Sequence, residues 1–167
     1  MLTADDWIRQ LNLARHPEGG WFRETYRAAE TVAGSALPAR FGGPRHLATA
    51  IYFLLQPPEF SAFHRVKADE MWHFYAGAPL TLHLISPAGD YTSARLGSAA
   101  DGPAAFQALV PADTWQAAEL DEPGGFALVG CTVAPGFDFA DFELAARAAL
   151  CRLCPGRKKL VERLTHV

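Results

Sequence analysis

Two side chains able to move a proton or hold a metal ion stand close together within residues 60–77, FSAFHRVKADEMWHFYAG. His64 comes six residues before Glu70, and Glu70 seven before Gly77. Imidazole changes charge near neutrality, and a carboxyl group joins acid–base chemistry once its surroundings tune it. If 60–66 and 70–76 form a hairpin turning at Lys67, His64 stands directly across from Glu70. Opposed side chains on one face of such a ribbon are about 4.5–5.5 Å apart at Cβ, close enough for a shared ion or a hydrogen bond. Alternation adds Phe60, Ala62 and Val66 from one strand and Trp72 and Phe74 from the other to the same face. An apolar hollow with two convergent polar groups is a common form for a small-molecule site. A satisfied core pair of histidine and glutamate has the same spacing, so both readings stay open at this level.

The other histidines carry less. Strand parity turns His73 away from Glu70, and His83 alternates with Leu80, Leu82 and Leu84 so as to face outward. His16, His46 and His166 fall in loops or the tail and are assigned no catalytic part. Gly42-Gly43 lacks the helix that phosphate cradling needs, and no G-x-S-x-G nucleophile elbow occurs.

The elements that must position His64 and Glu70 read as strands. Runs at 21–26, 47–55, 60–66, 70–76, 80–85, 90–95, 105–110, 114–119 and 125–133 are separated by glycine- and proline-rich turns. Short strands at this spacing indicate a sandwich or barrel. Thr3 with Asp6 resembles a capping box, and Trp7, Ile8 and Leu11 follow at helical spacing, so 4–13 reads as a helix. Asp141 reads as the cap of a helix running to Cys154, and 158–164 as a final helix. With no internal repeat or linker, 1–167 reads as one domain: a barrel core at about 20–137 and a helical segment at about 141–165.

Composition narrows the partners. The chain has 167 residues, half of them apolar, and a net charge of −3. No basic stripe marks a nucleic-acid surface, no apolar run is long enough for a membrane span, and the start shows no signal peptide. Three cysteines fit no disulfide framework. Cys131 reads as a small core residue, and Cys151 and Cys154 lack the partners a zinc site needs, so the expected setting is a reducing cytoplasm.

At 60–77 the chain resembles the cupins, whose first motif is G-x5-H-x-H-x3,4-E-x6-G and whose second is G-x5-P-x-G-x2-H-x3-N. His64, Glu70 and Gly77 fall on the first histidine, the glutamate and the glycine. More specifically, HPEGGWFRETYR at 16–27, TAIYFLL at 49–55, VPADTWQAAE at 110–119 and VGCTVAPGFDFADFEL at 129–144 resemble the uncharacterised cupin-5 (DUF985) family. Val66 stands where the motif has its second histidine. In the second motif Pro111 matches, Asp113 stands for glycine, and Gln116 holds the histidine position.

The resemblance implies an all-β, double-stranded β-helix (jelly-roll barrel) with a short N-terminal helix and C-terminal helices. It also implies a homodimer in which the N-terminal strand, 21–26, pairs with the partner's sheet. Three functions follow as expectations. In the first, the barrel binds a small polar organic ligand, sugar- or carboxylate-like, and acts as an acid/base isomerase or epimerase. His64 and Glu70 would be catalytic, Tyr52 or Tyr75 a proton partner, Trp72 and Phe74 would stack the ligand, and Gln116 would hydrogen-bond it. In the second, His64, Glu70 and Gln116 hold a divalent metal. In the third, the barrel is a non-catalytic carrier or sensor.

Overall fold

The computed structural model describes residues 2–98, 102–122 and 124–166. Helix α1 (Ala4–Gln10) opens on the expected capping box: the Thr3 hydroxyl accepts the Asp6 N–H, and the Asp6 carboxylate accepts the Thr3 N–H. It stops short of residue 13 because Asn12 turns into the left-handed region, with φ of 51°.

Among the described residues thirteen strands follow in chain order: β1 (Ala14–Arg15), β2 (Trp21–Arg27), β3 (Thr31–Val32), β4 (Arg45–His46), β5 (Thr49–Leu55), β6 (Ser61–Val66) and β7 (Asp69–Gly77). The rest are β8 (Leu80–Ile85), β9 (Tyr91–Leu96), β10 (Gln107–Val110), β11 (Trp115–Leu120), β12 (Ala127–Ala134) and β13 (Phe142–Leu144). They form a six-stranded sheet in the order β1-β2-β5-β12-β7-β10 and a five-stranded sheet in the order β13-β6-β11-β8-β9. The all-β jelly-roll expectation is met. Between the sheets, one end is filled by Phe53, Trp72, Phe74, Leu80, Leu82 and Val129. The other end is hollow, and His64 and Glu70 stand there.

The expected hairpin between 60–66 and 70–76 does not form. β6 belongs to the five-stranded sheet and β7 to the six-stranded one. Each strand has two hydrogen-bonding edges, and all four are taken. At His64, β6 pairs with β11 through Gln116 and with β13 through Leu144. At Glu70, β7 pairs with β12 through Val133 and with β10 through Val110. The bend at Lys67-Ala68 therefore carries the chain from one sheet to the other, and the two side chains meet across the barrel instead of across a ribbon.

The expected helix from Asp141 is also replaced. A 3-10 turn at Phe139–Asp141 leads into β13, and α2 (Arg147–Leu153) begins only afterwards. Asp141 does not cap that helix because its carboxylate is engaged elsewhere, accepting two hydrogen bonds of 2.6 Å from buried Arg45.

Helices α2 and α3 (Lys158–Arg163) cover the outer face of the five-stranded sheet, packing Leu150, Val161 and Leu164 on Phe63, Ile85 and Trp115. His83 faces outward, as parity requires, but these helices bury it. Its ring meets the Tyr91 hydroxyl at 2.9 Å and Glu119 at 3.1 Å, and Arg163 of α3 also donates to Glu119. Burial pushes the Glu119 carboxyl up, but the His83 and Arg163 hydrogen bonds and charges outweigh it and bring it down to about 2. A carboxylate depressed on folding stabilises the protein above its ordinary value of 4.5, and that contribution fades as pH falls from 4.5 through about 2. Glu119→Gln is thus expected to lower stability at neutral pH and to flatten the acid limb of stability against pH. Urea titrations between pH 2 and 7 read both, and an unchanged acid limb would refute the assignment.

No helix among the described residues is long and apolar enough to cross a membrane.

Candidate acid–base site in the barrel

The hollow end encloses about 410 Å³ between the two sheets and is covered by Phe137, Phe139 and Phe142. His64 enters it from β6 and is 3% exposed. Its Nδ1 lies 2.8 Å from the Ala62 carbonyl oxygen. A carbonyl can only accept, so Nδ1 carries the hydrogen and the ring orientation is fixed. Nε2 is left as the atom where a proton can arrive or leave, and it stands 3.3 Å from Glu18 Oε2.

Glu18 was not among the residues expected here. It sits in the turn between β1 and β2, read from sequence as loop, and that turn folds inward. Gly19 has φ of +109° and Gly20 φ of +72°, and a Cβ on Gly19 would lie 2.2 Å from the Phe60 carbonyl oxygen. Only glycines allow this approach. The turn is pinned where the Glu18 carbonyl accepts the Ala62 N–H at 2.8 Å. Ser61 Oγ donates to Glu18 Oε1 at 2.7 Å, and His16 Nδ1 lies 3.2 Å from Oε2. Burial pushes the Glu18 carboxyl up, but His64, His16 and Ser61 prevail and hold it below the ordinary carboxylate value.

Glu70 stands on the facing sheet with the opposite bias. Burial pushes its carboxyl up, and the nearby Glu18 charge adds to that. His64 and hydrogen bonds from Gln116 and Cys131 pull back without reversing it. Two carboxyl groups in one cavity are thus driven apart, one toward the ionised form and one toward the protonated form, a pattern typical of paired acid and base roles. Cys131 belongs to the core, as expected, and also lines the cavity. Its thiol is held well above its ordinary value by burial and the two carboxylates, which keeps it unreactive.

The other expected site residues are placed elsewhere. Gln116 is fully buried behind Glu70. Its amide nitrogen donates to Glu70 Oε2 at 2.5 Å, and its oxygen accepts from Trp72 Nε1 at 2.9 Å. The indole N–H is a donor only, so the amide orientation is set, and full burial keeps Gln116 out of the cavity lining. Trp72 and Phe74 share the inward face of β7 with Glu70 but lie deeper, in the filled end, so they pack the core and do not stack a ligand. Tyr52 alternates with the inward Ile51 and Phe53 of β5, and Tyr75 follows the inward Phe74 of β7, so both point out of the barrel. Their rings lie 6.0 Å apart and Tyr75 is 52% exposed, so neither hydroxyl reaches the cavity.

The cupin fold implies a metal ion, and the residues present do not fit one. Val66 replaces the second motif histidine, and the Gln116 oxygen is committed to Trp72. Among the described residues no group of three or more His, Cys, Asp or Glu side chains is arranged to hold an ion. Protein purified without a nickel column is expected to carry far less than one transition metal per chain by elemental mass spectrometry. Stoichiometric metal would contradict this.

A jelly-roll barrel with its polar site between the sheets, built on strands that carry the first cupin motif, defines a cupin. The chain belongs to the family described as Cupin superfamily (DUF985), whose model matches residues 5–145. It is 30% identical over 145 residues to the uncharacterized protein YML079W of Saccharomyces cerevisiae, covering 80% of this chain and 71% of that protein. The structure of protein SO0799 from Shewanella oneidensis superimposes with a TM-score of 0.87 at 42% identity, covering 99% of both chains. A hypothetical protein from Leishmania major gives a TM-score of 0.87 at 32% identity, over 99% of this chain and 100% of that one. Oxalate decarboxylase from Bacillus subtilis shares the fold alone, with a TM-score of 0.53 at 14% identity over 90% of this chain and 36% of the enzyme.

Proposed function

We propose that this cupin barrel binds a small polar organic ligand in the cavity and moves a proton on it, as an isomerase or epimerase does. The observation that carries the reading is the His64–Glu18 pair, with Nδ1 locked on a backbone carbonyl and Nε2 held against a carboxylate. An imidazole fixed in this way exchanges a proton at Nε2, the role of a general base. Glu70, biased toward its protonated form on the facing sheet, returns a proton from the other side of the ligand. Removal on one wall and return from the other changes configuration or shifts a hydrogen between neighbouring atoms. The phenylalanines in the lining make the surroundings of these groups less polar than water.

Native mass spectrometry of freshly purified protein, followed by identification of any retained ligand, supplies the test compound and also reads the number of chains, expected to be two. Wild-type protein in D2O is expected to place deuterium on a carbon of that ligand. His64→Gln is expected to slow this by about 10²-fold or more, in line with the loss of a general base. Undiminished exchange in His64→Gln, or no exchange by wild type, would count against the mechanism.

A further inference from the structure

Resting on the reading of the cavity as a ligand site, we propose that His46 is a second imidazole of that site, whose Nε2 accepts a hydrogen bond from a hydroxyl group of the ligand. His46 reads from sequence as a loop residue without a catalytic part, but the structure puts it on β4 and in the cavity lining. Its Nδ1 lies 2.7 Å from the Ala28 carbonyl oxygen. A carbonyl only accepts, so Nδ1 carries the hydrogen and Nε2 of the neutral ring is a bare acceptor. His64 is held in the same tautomer by Ala62. No hydrogen bond or ion pair among the described residues reaches Nε2 of His46, so it is the polar atom this ring has left to offer.

The ring is fixed from several sides. Arg45, the residue before it, is tied to Asp141 by two hydrogen bonds of 2.6 Å. The His46 carbonyl accepts the Gly136 N–H at 2.7 Å, and Thr31 pairs with His46 across the β3–β4 ribbon. A ring already held this way gives up little freedom when a ligand docks on it, so its hydrogen bond adds directly to affinity. Thr49 shares this wall: a Cβ on Gly136 would lie 3.1 Å from both the His46 carbonyl oxygen and Thr49 Cγ2. Thr49 Oγ1 accepts the Phe137 N–H at 2.9 Å, and no described residue takes its hydroxyl hydrogen. The wall therefore offers one acceptor and one donor. A ligand hydroxyl both donates and accepts and satisfies the two together, whereas an ammonium has only hydrogens to give and a carboxylate only lone pairs. Arg27 and Asp138, which share the lining, are engaged elsewhere: Arg27 with Glu24 and the Phe137 carbonyl, Asp138 with the Ala140 N–H. A hydroxyl held at His46 fixes how the ligand lies against His64, which a proton-transferring pair alone does not do.

Two probes differing in one hydrogen-bond donor separate the alternatives: cyclohexanol and its methyl ether, methoxycyclohexane, which has no hydroxyl hydrogen. Each is titrated into the wild-type protein, with imidazole nitrogen and cavity methyl NMR signals as the readout. The free protein is expected to show His46 with its hydrogen on Nδ1 and a bare Nε2; a hydrogen found on Nε2 instead would overturn the proposal. Cyclohexanol is expected to shift the His46 Nε2 signal and to bind about fivefold tighter than the ether. In His46→Phe that preference is expected to shrink to about twofold or less. Binding of the alcohol without a change at His46 Nε2, or binding of the ether as tightly as the alcohol, would overturn the part given to His46 while leaving the cavity a ligand site. Failure of both probes to perturb cavity signals would overturn the ligand-site reading and this inference with it. The wild-type spectra decide the matter even if His46→Phe does not fold.

Discussion

Asp141→Ala is expected to remove about 3–5 kcal/mol of stability, the range found when one partner of a buried ion pair is deleted. Arg45 is 7% exposed and Asp141 5%, and their two parallel hydrogen bonds of 2.6 Å join strand β4 to the turn before β13. Lys67 adds a third contact, its Nζ 3.4 Å from Asp141 Oδ1, at the bend where the chain changes sheets. Burial pushes the Asp141 carboxyl up, but the Arg45 and Lys67 contacts prevail and hold it down. Removing the carboxylate leaves a guanidinium only 7% exposed without its counter-charge, which is worse than having no pair at all. The double variant Arg45→Met/Asp141→Leu is therefore expected to recover most of the loss, because a matched apolar pair carries no desolvation penalty. Urea denaturation of the two variants against wild type is the measurement. A loss below about 1 kcal/mol in Asp141→Ala would show the pair to be no more than a surface contact. The single variant should also weaken ligand binding, since Asp141 anchors the segment that bears Phe137, Phe139 and Phe142.

The strands were legible because alternation and turn residues are local signals. β7, β8 and β12 fall within two residues of where periodicity puts them. Parity likewise sets which side of its own strand each residue of 60–77 occupies, and His64 and Glu70 both fall on the inward side. What parity cannot tell is which sheet a strand joins. A two-residue bend at 67–68 serves a hairpin or a change of sheet equally well, and the choice is made by β11, β12 and β13, far away in sequence. The depth of a side chain within the barrel is equally non-local. Trp72 and Glu70 share a face, but one lies in packed core and the other in the cavity. The tyrosines differ for a simpler reason: the phase of β5 and β7 puts Tyr52 and Tyr75 on the outer side, where a phenol has no access to the cavity.

Glu18 was the largest omission, and its signal was present. An acidic residue followed by two glycines reads first as a helix stop, yet paired glycines also mark a place where backbone must approach backbone. Here that approach delivers a carboxylate to the Nε2 of His64, so a residue 46 positions upstream supplies the partner that the local motif assigned to Glu70. The consequence is a division of labour. In the proposed mechanism Glu18 holds the charge beside the imidazole, and Glu70 carries the proton.

The same turn gives the last prediction, because its geometry isolates one physical effect. Gly19→Ala places a methyl group 2.2 Å from the Phe60 carbonyl oxygen, a backbone atom that cannot swing aside. It also forces a side chain onto φ of +109°, outside the left-handed region that L residues tolerate. Gly124 has the same φ of +109° but nothing within 4 Å of its would-be Cβ. Gly124→Ala therefore bears the torsional strain alone, about 1–3 kcal/mol. Gly19→Ala bears the strain and the collision, and is expected to lose about 4 kcal/mol or more. Part of that loss is relieved by the 16–20 turn moving outward, which withdraws Glu18 from Ser61 and His64. Gly19→Ala should consequently lose ligand proton exchange under conditions where the protein is still folded, while Gly124→Ala keeps it. Urea titration and deuterium exchange on the two variants read the two effects separately. Equal destabilisation of both, or full exchange in Gly19→Ala, would mean that the glycine pair does not deliver the Glu18 carboxylate to the site.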